Sequence, residues 1–161
     1  MNDYIKSDFF SWTKRKDYQI CAHTPNCSLK EVIENIEEDF PSIDEKDNKR
    51  FNVVYCYSLS NQKFEYPNGN SNVLYIGYTI GQKKKSKISL SFRFVHCKEG
   101  KDCKSNMCLR HYYKNNIPLT LEIYQLPENN CAQTEELKLR KRFLEEYASL
   151  PIADGASYKK S

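Results

Sequence analysis

Tyr55 sits in the apolar run Phe51-Asn52-Val53-Val54-Tyr55-Cys56-Tyr57, and a second tyrosine opens the tripeptide Tyr75-Ile76-Gly77. Further along, His96 follows Arg93 by three residues and Arg140 follows Glu136 by four. These residue types suit proton transfer and the handling of negative charge. A tyrosine hydroxyl can orient or deprotonate a water, a guanidinium stabilises a developing oxyanion, and an imidazole carries a proton. A carboxylate is the natural hard ligand for Mg2+ or Mn2+, ions that keep several waters and take few protein ligands. An unperturbed tyrosine has a pKa of about 10, so a tyrosine needs positive charge beside it to act as a base near neutral pH. Lys83, Lys84, Lys85 and Lys87 lie between the second tyrosine and Arg93, placed to supply that charge or to grip a polyanion.

A separate set is rich in sulfur. Cys97, Cys103, Cys108 and His111 offer three thiols and an imidazole, the donor set of a structural Zn2+ site, although no Cys-x-x-Cys pair occurs. Free thiols are the competing reading. Cys21, His23 and Cys27 form a smaller set of the same kind, and Cys56, inside an apolar run, reads as a core residue.

The elements that must position these residues are legible from residue 51 onward. Phe51–Tyr57 is β-branched and aromatic, as a buried strand is, and Val73–Thr79 has the same character. Between them, Tyr66-Pro67-Asn68-Gly69-Asn70 is a turn signal, so the two strands read as an antiparallel hairpin with a long loop. Leu90, Phe92, Phe94 and Val95 suggest a short helix, Asn106 to Lys114 another, and Leu119–Tyr124 an alternating third strand. A long helix runs from Ala132 to Tyr147, with Leu137, Phe143, Leu144 and Tyr147 available for burial and Pro151 beyond its end. Upstream, Ser28-Leu29-Lys30-Glu31 is a capping box that opens a helix to about Glu38. Pro41 and the polar stretch Asp44 to Arg50 close that section.

In chain order these residues resemble the GIY-YIG nuclease family. Val53-Val54-Tyr55 and Leu74-Tyr75-Ile76-Gly77 stand where the family has its paired strand motifs. Leu90-x-x-Arg93 with His96 is similar to the basic helix that follows, and Glu136-x-x-Leu139-Arg140-x-x-Phe143 to the helix bearing the catalytic carboxylate. Asp154, after Leu150-Pro151, falls where the family commonly has Asn. The resemblance implies an α+β fold with a small three-stranded antiparallel sheet flanked by helices. It divides the chain into an N-terminal extension with one helix (1–50), the nuclease-like domain (51–155) and a tail (156–161). It implies a metal-dependent DNA endonuclease in which Tyr55 helps to deprotonate water and Tyr75 orients water and phosphate. Arg93 stabilises the phosphate, His96 is a phosphate ligand or proton carrier, and Glu136 holds Mg2+ or Mn2+. The lysines at 83–87 then contact the DNA backbone. Three departures (Val53 for the family's Gly, an Arg-to-His spacing one residue shorter, Asp154 for Asn) motivate a second reading. That reading is a nucleic-acid-binding module that kept the fold and lost the reaction.

Composition narrows the class. With 161 residues the chain fits one domain of ordinary size, no apolar run approaches the ~18 residues of a membrane span, and 13% aromatics argue against disorder. The net charge of +4 permits a nucleic-acid partner without requiring one. Seven cysteines, an odd number, and a start without basic and apolar signal regions point to a cytoplasmic protein with reduced thiols. A nuclease with one active site must dimerise or rebind to cut both strands, so a homodimer is an expected partner state.

Overall fold

The computed structural model describes residues 13–20, 28–39, 52–80, 104–127 and 129–154. Its centre is β2 (Asn52–Leu59), which has a strand neighbour on each edge and whose Val53 to Leu59 are all buried because both faces of the sheet are covered. On one edge β2 pairs antiparallel with β5 (Val73–Ile80), forming the expected hairpin. The connection carries its own miniature hairpin, β3 (Phe64–Tyr66) and β4 (Gly69–Ser71). It turns at Pro67-Asn68, and Gly69 has φ +112, a left-handed conformation that suits a residue without Cβ. On the other edge β2 pairs antiparallel with β6 (Leu119–Gln125).

The sheet does not stop there. β1 (Thr13–Ile20) pairs antiparallel with β6 along its whole length, giving the order β1-β6-β2-β5. The expectation of three strands is therefore corrected to four, and the fourth comes from the segment read as an N-terminal extension. Its sequence hides it for a physical reason. An edge strand buries only part of its surface, and Lys14-Arg15-Lys16-Asp17 breaks the two-residue apolar period that marks an interior strand. Charge on an edge also discourages unwanted pairing with another chain.

Helices cover both faces, so the fold is α+β. On one face α1 (Leu29–Asp39) and α2 (Lys104–Lys114) bring Leu29, Ile33, Ile36, Leu109 and Tyr113 into one core with Val53, Tyr55, Tyr57, Leu121 and Ile123. On the other, α3 (Ala132–Tyr147) packs Ala132, Leu139 and Phe143 against Val54, Cys56, Ile76 and Tyr124. Cys56 is a core residue, fully buried. The anticipated capping box forms: Ser28 N donates to Glu31 Oε2 at 2.6 Å, and Glu31 N donates to Ser28 Oγ at 3.3 Å. Those donors to its carboxylate hold Glu31 below the usual carboxylate range. None of the described helices is long and apolar enough to cross a membrane.

The helix that matters most for the site is clamped at both ends. Cys131 occupies its N-cap without a side-chain cap bond. Asn52 from β2 takes over that role, with Oδ1 accepting from Ala132 N at 2.9 Å and Nδ2 donating to Asn130 O at 2.6 Å. At the far end Asn68, in the turn of the miniature hairpin, donates through Nδ2 to Glu146 O at 2.8 Å and through N to Tyr147 O at 3.2 Å. Of the side chains expected to be buried here, Phe143 is, Leu144 and Tyr147 are half-buried, and Leu137 is 54% exposed. The buried stripe is Ala132, Glu135, Glu136, Leu139, Arg140 and Phe143, and Leu137 stands two positions from both Glu135 and Leu139, facing away.

Ile20, on the strand that the pattern concealed, is 1% exposed within the shared core. Ile20→Ala is expected to lower stability by about 2–5 kcal/mol, measured as a shift in the denaturant midpoint. A shift within the ±0.5 kcal/mol or so typical of surface sites would contradict the placement of β1.

Candidate active site

The β2–β5 register puts Tyr55 opposite Gly77 and Tyr57 opposite Tyr75. All of these positions therefore point to the same face of the sheet. A Cβ on Gly77 would stand 2.6 Å from Tyr55 Cζ, 2.7 Å from its hydroxyl oxygen and 2.8 Å from Tyr75 Cε1. The Tyr55 ring thus lies across the space that any other residue at 77 would fill. This brings the two predicted tyrosines side by side, with ring centroids 6.1 Å apart and planes tilted by 40°. Both are nearly enclosed, at 4% and 8% exposure.

A third tyrosine completes the group. Tyr57 meets Tyr55 edge-on at 6.0 Å and 88°, and its ring centroid lies 6.4 Å from that of Tyr75. Its hydroxyl has no hydrogen-bond partner among the described residues. Burial, with Glu37 and Tyr75 adding to it, pushes this hydroxyl well above the usual tyrosine range, so it stays protonated. Sequence reasoning passed over Tyr57, although its two-residue spacing from Tyr55 already placed it on the same face.

Glu136 lies in the other layer, on α3, which packs against the opposite face of the sheet. It does not stand alone. Arg140 Nη1 donates to Glu136 Oε1 at 3.1 Å, and Arg140 Nε lies 2.5 Å from Asp154 Oδ2. The three side chains are 6%, 10% and 0% exposed, so this is a buried charge group. Asp154 gets there because the turn after Pro151 docks on the β5 edge, where Ala153 N donates to Leu74 O at 2.9 Å. Leu74 is the residue skipped where the β2–β5 register shifts between Tyr57 and Ser58. Asp154 therefore acts as a partner of Arg140. Glu135, the neighbouring carboxylate, pairs instead with the exposed Lys138 at 2.8 Å.

Two buried carboxylates share the Arg140 guanidinium here. That donor set fits a hard divalent ion, which takes one or two carboxylates and otherwise water. Among the described residues, no group of three or more His, Cys, Asp or Glu side chains is arranged to hold a metal. Of the candidate zinc ligands, Cys108 is half-buried and His111 exposed on α2. Cys97 and Cys103 lie outside the described residues, as do Arg93, His96, Lys83, Lys84, Lys85, Lys87 and the short helix expected near Phe92. Cys21, His23, Cys27, the stretch 44–50 and the tail at 156–161 lie outside them too.

Two substitutions test this geometry. Gly77→Ala is expected to displace the Tyr55 ring and to destabilise by about 1–3 kcal/mol, the usual penalty of overpacking, seen by denaturant melts and altered tyrosine fluorescence. Arg140→Leu removes the guanidinium that both buried carboxylates share and is expected to cost about 3–5 kcal/mol. Replacing all three charged residues by apolar ones of similar size should recover most of that loss.

The chain is placed by its own residues, since no family model, no curated protein and no solved structure matches it.

Proposed function

We propose that the protein is a metal-dependent DNA endonuclease of the GIY-YIG type. The observation that carries this reading is the pairing of Tyr55 with Gly77, which sets the Tyr55 and Tyr75 rings side by side on one hairpin. It is supported by the order in which a strand and then a helix with the buried carboxylate Glu136 follow. In this scheme Tyr55 takes a proton from the attacking water, and Tyr75 orients that water against the phosphate. Arg93 neutralises charge that builds on the phosphoryl oxygens, and His96 serves as phosphate ligand or proton carrier. Glu136 is the protein ligand for Mg2+ or Mn2+, with Arg140 and Asp154 fixing its rotamer. Bound there, the metal supplies charge neutralisation at the phosphate and help for the leaving oxygen. The lysines at 83–87 hold the backbone of the DNA, and a homodimer is the simplest route to cutting both strands.

A second reading has an observation of its own. Tyr55, Tyr75 and Glu136 are each at most 8% exposed, and the tyrosines belong to one face of the sheet while α3 belongs to the other. A nucleic-acid-binding module without catalysis has that enclosed character.

Plasmid and branched DNA incubated with the full chain and Mg2+ separate the two. The nuclease reading expects nicking by the parent that Glu136→Ala reduces by at least a hundredfold. It expects Arg93→Ala to slow cleavage by about 10²–10³, the worth of about 2.7–4 kcal/mol of preorganised charge stabilisation. Equal cutting by Glu136→Ala removes Glu136 from the chemistry. Salt-sensitive binding without any cleavage favours the module.

A further inference from the structure

The tyrosine face is enclosed, yet proton transfer on it needs a way out. Tyr55, Tyr57 and Tyr75 lie in the core shared with α1 and α2, with ring centroids 6.0 to 6.4 Å apart. Tyr57 is the deepest of the three at 1% exposure, and its hydroxyl has no hydrogen-bond partner among the described residues. A buried hydroxyl in that condition costs free energy, and an ordered water is the common remedy.

One charged side chain reaches this patch from α1. Glu37 follows Ile33 by four residues and Ile36 by one, and both isoleucines pack in the core that holds the tyrosines. Side chains four apart share a helix face, so Glu37 continues the buried stripe of α1 by one turn. It is half-buried, as suits a group that meets core and solvent at once. Its charge also acts on the Tyr57 hydroxyl, adding to burial in keeping that hydroxyl protonated. The carboxylate is thus near enough to be felt and too far to accept the hydroxyl's bond directly. One water spans such a gap between donor and acceptor. Glu34, three residues earlier, is placed differently: it faces Lys30 at 3.6 Å, and its side chain is 42% exposed.

We propose that Tyr57, one ordered water and Glu37 form the outlet through which the tyrosine face exchanges protons with solvent. Glu37 is then a positioning residue contributed by the N-terminal section. The proposal rests on the nuclease reading above and gives the proton of the attacking water a destination. As the water oxygen bonds to phosphorus, its proton passes to the Tyr55 oxygen and the Tyr55 proton moves on to Tyr57. Tyr57 releases its own proton through the bridging water to the Glu37 carboxylate, which returns it to solvent. The leaving oxygen departs with its bonding electrons. One proton enters the group and one leaves it, so no tyrosinate forms.

The test uses the full chain. In its crystal structure a water is expected within hydrogen-bond distance of both Tyr57 Oη and the Glu37 carboxylate. In denaturant melts Tyr57→Phe is expected to lower the midpoint, and Tyr57→Phe with Glu37→Ala to lower it by less than the two effects summed. A higher midpoint for Tyr57→Phe overturns the proposal, because that is the effect of removing a hydroxyl that bonds nothing. Additive effects overturn it as well. In plasmid nicking with Mg2+, Glu37→Ala is expected to lower kcat by about a hundredfold with KM unchanged. Added formate, a small diffusible carboxylate, should restore part of that rate, and Glu34→Ala should cut as the parent does. Loss without rescue, or an equal loss in Glu34→Ala, overturns the outlet by giving Glu37 a structural role only. The two readings fail separately. Cutting by Glu37→Ala at the parent rate removes the outlet and leaves the nuclease. A bridging water with coupled melts, in a protein that cuts no DNA, supports the link from Tyr57 to Glu37 and removes the nuclease.

Discussion

The approach of the Tyr55 ring to within van der Waals distance of a bare backbone at Gly77 governs the rest of the arrangement. That contact exists only in one register of β2 against β5, because a slip by one residue would send Tyr55 to the other face. With the register fixed, Tyr57 falls opposite Tyr75 and the three rings fill one patch of the core beneath α1 and α2. The register shift that follows sets aside Leu74, whose carbonyl then receives Ala153. This bond ties the turn after Pro151 to the sheet, carrying Asp154 with it.

Charge compensation is the second requirement. Carboxylates as enclosed as Glu136 and Asp154 stay folded at acceptable cost only with a counter-charge, and Arg140 serves both. Its planar fork reaches two acceptors at once, which a lysine cannot do as well. The geometry of Glu136 is thus set from three directions. Asn52 fixes the start of α3, Asn68 fixes its end, and Asp154 fixes the side chain that holds the carboxylate. Each comes from a different part of the chain, so the group is a product of tertiary structure.

This explains what the sequence could and could not reveal. β2, β5 and α3 were readable because each is strongly patterned and its composition agrees with its environment. The capping box at Ser28 was readable because it is local. β1 was not, since its charged stretch serves an edge and carries no apolar alternation. The tyrosine pair could be placed on neighbouring strands from spacing alone, but its relation to Gly77 needed the register. For Glu136 and Arg140 the four-residue spacing predicted a pair. Its burial, and the arrival of Asp154, depended on the bulge at Leu74 and the turn after Pro151, neither of which a one-dimensional pattern encodes.

The claim that Glu136 is the anchor of a divalent metal site is the centre of this account. Anomalous scattering from crystals of the full chain soaked in Mn2+ addresses it directly. The account predicts a manganese peak within coordination distance of the Glu136 carboxylate. A peak elsewhere on the molecule, or none at Glu136 at saturating metal while Arg140 keeps its hold on that carboxylate, would contradict it.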